Sequence, residues 1–205
     1  MVHCTRACVG PWPGETKRQY QDAILLGEDE CFLRSPLETL CRIIRSGTIL
    51  ASAIVTSSKY PVVCWSAVPL LNLLERRCFR SHVQRWDYEP FGIAVRLEVA
   101  KQLGCQPVIY GQPRDRKKLR AGDRFRFQAV GKSIDWRSEQ EWRMCGSLNL
   151  LALSEQDVRV FALDTADVRE RLSQVSWPVT LLRSEELAIH GKEDNRGLSQ
   201  TWKAV

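Results

Sequence analysis

Glu139 and Glu141 stand two positions apart in the stretch WRSEQEWRM (136–144), and Arg143 follows them. The stretch reads as a strand, and alternate residues of a strand share a face. That spacing predicts two carboxylates side by side at about 7 Å, with Arg143 further along the same face. Gln140, Trp142 and Met144 then face the other way. Two like charges this close push one pKa upward, as a proton acceptor near neutrality requires. An arginine beside them either holds the pair together or grips an oxyanion. A metal-dependent nuclease is another use of paired carboxylates, but few further acidic residues lie near this stretch, and two-metal centres call for more.

Such a pair needs a frame. The chain opens with a short strand, MVHCTR (1–6), on which His3 and Thr5 share one face and Cys4 and Arg6 the other. TKRQYQDAILLGE (16–28) reads as a helix. SPLETLCRIIRSG (35–47) is the clearest helix: Ser35 caps it, Pro36 takes the first turn, Glu38 completes a capping box and Gly47 ends it. Leu37, Leu40, Cys41 and Ile44 form its expected buried stripe. TILAS continues as an extended segment, and PVVCWS (61–66) is an apolar strand that delivers Trp65 and Ser66 to a turn.

Downstream, AVPLLNLLERR (67–77) reads as a helix, FGIAVRL (91–97) as a strand and EVAKQLG (98–104) as a short helix. QPVIYG (106–111) and FRFQAV (125–130) read as strands around a basic loop. DVRVFAL (157–163) is an expected strand, and DTADVRERLSQV (164–175) a helix starting from Asp164. The polar end from Gly191 is expected to fray. The order of elements predicts an α+β domain, helices early and strands late, with no repeat and no linker.

The bulk numbers bound the partners. At 205 residues and 44% hydrophobic content the chain suits one globular domain with a real core. No apolar run is long enough to span a membrane, and the N-terminus lacks the pattern of a signal peptide. The eight cysteines form no CxxC pair and several sit in apolar patterns, which points to reduced thiols in a cytoplasmic protein. His3, Cys4 and Cys8 lack the usual spacing of a zinc site, so no metal is expected. Neither a P-loop nor GxGxxG occurs, which argues against an ATPase or a Rossmann-type dehydrogenase. Net charge is +6, and basic residues cluster at 76–85 and 114–126, as a surface facing nucleic acid would require.

The order VHCTR, LETLCRIIRSGTILAS, VVCWS, EQEWR resembles the ADP-ribosyltransferase superfamily. It is most similar to bacterial branches with an E-x-E-W-R-like ending, some associated with phage defence, and more distantly to DarT-type toxins. The resemblance covers roughly residues 1–146. It departs from the pattern in about thirty residues between the first strand and the helix that usually follows closely.

The resemblance implies a split β-sheet core with flanking helices, placed at 1–150, and a C-terminal extension at 151–205 without assigned role. It implies NAD as substrate, and either transfer of ADP-ribose to a macromolecule, nucleic acid being favoured by the basic segments, or hydrolysis of NAD. A toxin or phage-defence effector with a cognate antitoxin or partner protein would fit. Breaking the nicotinamide–ribose bond develops an oxocarbenium-like carbon, which a fixed carboxylate stabilises. The resemblance assigns that role to Glu141, and proton removal from the acceptor to Glu139. His3 and Thr5 would hydrogen-bond a ribose or the nicotinamide amide, Ser66 would brace Glu141 or the ribose, Tyr60 or Trp65 would stack on nicotinamide, and Arg143 would grip a diphosphate oxygen. A non-catalytic antitoxin or nucleic-acid-binding protein on the same scaffold is the alternative.

Overall fold

The structure is a computed structural model that describes residues 1–8, 10–27, 34–53, 60–80, 85–130 and 136–188. The fold is α+β, with one large mixed sheet and short helices around it. The strands are β1 (Val2–Cys4), β2 (Thr48–Ile49), β3 (Val62–Ser66), β4 (Phe79–Arg80), β5 (Arg85–Trp86), β6 (Gly92–Val95) and β7 (Gln106–Pro107). They continue as β8 (Ile109–Gly111), β9 (Phe127–Ala129), β10 (Glu141–Cys145), β11 (Leu148–Asn149), β12 (Val158–Leu163) and β13 (Val179–Leu182). The helices are α1 (Lys17–Leu26), α2 (Pro36–Ser46), α3 (Leu70–Leu74), α4 (Leu97–Gln102), α5 (Ala166–Arg171) and α6 (Ser184–Ala188). Among the described residues no helix is long and apolar enough to cross a membrane.

Seven strands form the main sheet in the order β13-β12-β6-β1-β3-β10-β7. Alternation along each strand separates two apolar layers. Val63, Trp65, Ile93, Met144, Val158 and Val160 line one face beneath Leu40 and Ile43 of α2, Val168 of α5 and Leu172 just after it. Val2, Phe161 and Leu182 line the other, with Leu73 and Leu74 of α3 and with Tyr88. The expected split core is instead one sheet with a weak seam: β1 and β3 share the single register pair Val2↔Ser66. Beyond that pair, the His3 ring bridges the strands, its Nδ1 2.8 Å from the Cys64 carbonyl.

α2 forms as its sequence signals dictate. Ser35 accepts from the Glu38 amide, the Glu38 carboxylate accepts from the Ser35 amide at 2.8 Å, and Gly47 closes the helix at φ 61°. Its buried seam differs from expectation: Leu40 and Ile43 are buried together with Glu38, whereas Leu37, Cys41 and Ile44 are only partly buried. α5 is capped by Thr165 rather than Asp164, whose carboxylate instead pairs with Arg169 at 2.6 Å.

Three further expectations are corrected. Residues 136–144 are not one strand: 136–139 form a 3₁₀ turn, Gln140 takes φ 44°, and β10 begins at Glu141. QPVIYG divides, because β7 pairs with β10 while β8 pairs in parallel with β9. Within the expected C-terminal extension, Val158–Leu163 and Val179–Leu182 belong to the main sheet, because β12 pairs with β6 and β13 runs parallel to β12. The frayed end expected from Gly191 lies outside the described residues.

Candidate active site

The ladder between β3 and β10 decides which side chains meet. Its register pairs Glu141 with Ser66, Trp142 with Trp65 and Arg143 with Cys64. Opposed residues share a face, so Glu141, Arg143, Ser66 and Cys64 lie together on one side while both tryptophans turn towards the main core. The Arg143 side chain is 1% exposed. Its Nε and Nη2 donate to the two Glu141 oxygens at 2.8 and 3.1 Å, a bidentate clamp. Nη1 donates to the Phe125 and Phe127 carbonyls, and Nη2 also reaches Gln128 Oε1 at 2.7 Å. These five bonds use every donor an arginine has. Arg143 is thus a positioning group for Glu141 and has no donor left for a diphosphate.

Cys64 also bonds the Glu141 carboxylate; burial, then the Glu141 charge, pushes its thiol pKa up to about 12. The thiol therefore stays protonated and donates.

Glu139 reaches the same face by a different route from the one the spacing suggests. Ser66 Oγ donates to the Glu139 carbonyl at 2.7 Å, and the Ala67 amide donates to the Gln140 carbonyl at 3.1 Å. Arg76 also donates to the Ser138 carbonyl. These bonds hold the 3₁₀ turn against β3, and the left-handed Gln140 swings the chain into β10. Such a conformation is strained for a residue with a Cβ and persists where the surroundings impose it. The Glu139 carboxylate then accepts from the Tyr88 hydroxyl. Burial first, and the nearby Glu141 charge after it, raise the Glu139 pKa against the opposing effect of the Tyr88 bond and of Arg6. Tyr110 stands on the other flank; burial, then the charges of Glu141 and Glu139, push its hydroxyl up to about 12.

Arg6 completes the cluster and was not among the residues expected there. Its guanidinium lies within electrostatic reach of Glu139, Tyr88, Cys4, Cys64 and His3. No described residue accepts a hydrogen bond from it. The signal was present in VHCTR, where the alternation sets Arg6 and Cys4 opposite His3. An acidic pair, one member locked by Arg143 and the other raised in pKa, thus faces a cation whose donors are available.

The remaining expected ligand contacts fall elsewhere. His3 pairs with Ile93 across β1–β6 and packs on Trp65 with ring centroids 5.5 Å apart, so it faces the main core, opposite Glu141. Burial lowers its pKa. Thr5 is 1% exposed, and its hydroxyl lies 2.8 and 3.1 Å from the Pro36 and Phe91 carbonyls, fastening β1 to α2. Trp65 is 2% exposed within the core and presents no free ring face. Tyr60 is half-buried at the start of β3. Ser66 braces the backbone beneath Glu139 rather than the Glu141 carboxylate. His3 and Cys4 alternate across β1, so they cannot close on one zinc ion. A cavity of about 220 Å³ opens between α2 and the end of α5, on the sheet face away from the carboxylates.

Comparison of the chain with protein-family models, curated proteins and solved structures finds no match.

Proposed function

We propose that the protein binds NAD and cleaves its nicotinamide–ribose bond, passing ADP-ribose to a macromolecule or to water. The observation that carries this reading is the convergence of Glu139, Glu141 and Arg6 on one face beside the weak β1–β3 seam. An ADP-ribosyltransferase-like architecture is part of this proposal, and the single register pair between β1 and β3 is compatible with it. In the proposed reaction the bond between nicotinamide and C1 of the ribose breaks, and the electron pair leaves on the nicotinamide nitrogen. Glu141, immobilised by Arg143 and Cys64, stabilises the cationic carbon, whose charge is largest in the transition state. Glu139 takes the proton of the attacking hydroxyl, amine or water; burial, which raises its pKa above the ordinary carboxylate value, makes it a stronger base than an exposed glutamate. Arg6 replaces Arg143 as the group that holds the diphosphate.

Nicotinamide release by purified protein tests the reading. Arg6→Gln and Glu139→Gln are expected to lose turnover without loss of the fold, since neither side chain closes a buried ion pair. Turnover unchanged in both variants, or no consumption of NAD with any acceptor, would end the assignment. A second reading, a non-catalytic scaffold, draws on the inward packing of His3, Thr5 and Trp65 and on the saturated Arg143. It is separated by thermal melting with NAD, which must raise the midpoint if NAD binds only the folded chain.

A further inference from the structure

The β4–β5 ribbon carries groups that the reaction above leaves unused. Phe79 and Trp86 are direct register partners and form an edge-to-face pair with centroids 5.4 Å apart. Phe79 is 44% exposed. The next register pair sets Arg80 opposite Arg85. Arg77 stacks over Trp86 at 4.2 Å from the ring centroid.

The ribbon is fastened to the carboxylate cluster. Arg77 donates to the Tyr88 carbonyl at 2.9 Å and to Glu89 at 2.6 Å, and the Tyr88 hydroxyl bonds Glu139. Exposed Arg76 donates to the Ser138 carbonyl, one residue before Glu139. A second basic segment lies on the other flank, on the 3₁₀ turns Pro113–Lys118 and Ala121–Arg126, where Arg114, Lys117 and Arg120 are exposed. Arg143 ties that segment to β10 through the Phe125 and Phe127 carbonyls. An exposed phenyl ring packed on a partly buried indole, with cations on both sides of an acidic pair, suits an unpaired polynucleotide, a base on the rings and phosphates on the cations. A duplex keeps its base faces stacked and cannot use the rings.

We propose that single-stranded nucleic acid lies across the β4–β5 ribbon, with a base against Phe79 and Trp86 and phosphates on Arg76 and on the Arg114–Arg120 segment. This track leads the strand past Glu139, which makes it the ADP-ribose acceptor. The acceptor role rests on the reading under Proposed function; the binding does not. Fluorescence anisotropy with labelled single-stranded DNA and RNA oligonucleotides, their duplexes and polyglutamate, all without NAD, tests it. The single strands are expected to bind and to weaken as salt rises. Phe79→Ala should weaken them by roughly 5- to 150-fold, the loss of one base stack, with an unchanged circular dichroism spectrum. Lys117→Glu should weaken all sequences alike and lower the salt slope by about one. Equal binding of duplex or polyglutamate, or unaltered binding by Phe79→Ala, overturns the proposal. Protein that binds single strands but spares NAD keeps this inference and removes the reaction; protein that consumes NAD without holding nucleic acid does the reverse.

Discussion

Glu141 and Glu139 illustrate how two identical side chains acquire different tasks from their surroundings. Glu141 is the counter-charge of a guanidinium that is 1% exposed. Glu141→Gln therefore leaves a buried cation uncompensated, and is expected to destabilise the fold by about 3–5 kcal/mol. Chemical denaturation of that variant measures it, and a midpoint equal to wild type would contradict the clamp. Glu139 behaves in the opposite sense. Its folded pKa is raised above the unfolded value, chiefly by burial. A carboxyl of that kind contributes stability that is complete below its unfolded pKa and is lost as pH rises through the folded one. Glu139→Gln is neutral at every pH, so its melting temperature should match or exceed that of wild type near neutrality, and the gap should close under acid. A variant that melts lower than wild type at pH 7 and not at pH 4 would reverse the assignment.

At the scale of elements, α2 shows local rules deciding the outcome. Its cap, first-turn proline and terminal glycine all act within a few residues, so the helix was legible before any contact was known. Ser35→Ala should cost about 1 kcal/mol, a fall of roughly 2–4 °C in Tm for a chain of this size. Gly47→Ala should cost more, because the position is left-handed and an added Cβ would collide with Leu151. Thermal melts of the two variants, with Gly47→Ala melting lower, check both statements. The strand expected over 136–144 failed for a non-local reason. Ser66, Ala67 and Arg76 hold its first half in a 3₁₀ turn, and none of these neighbours is visible in the pattern WRSEQEWRM.

For the whole molecule, the decisive fact is that the C-terminal part belongs to the central sheet. Val158, Val160, Ala162, Val168, Leu172 and Trp177 share one core with Leu40, Trp65 and Ile93. A chain ending at Leu150 would bare the edge of β6 and lose a third of that core's buried residues. It is expected to fail to fold, giving no cooperative thermal transition, although every motif of the expected site lies within 1–150. A folded 1–150 fragment would refute the shared core.

By itself the sequence determined the α+β class, the limits of α2, the strands β3, β6 and β12, and the presence of an acidic pair with an arginine beside it. Those features follow from periodicity and capping, which act over a few neighbouring residues. Only the tertiary structure decided which face of the sheet each candidate occupies. Registers between distant strands turned His3 and Trp65 into the core, and left Arg6 with the carboxylates. A one-residue change of strand register reverses every side chain, and register is set by partners far away in the chain. That is why the residue types were readable from the letters while the company they keep was not.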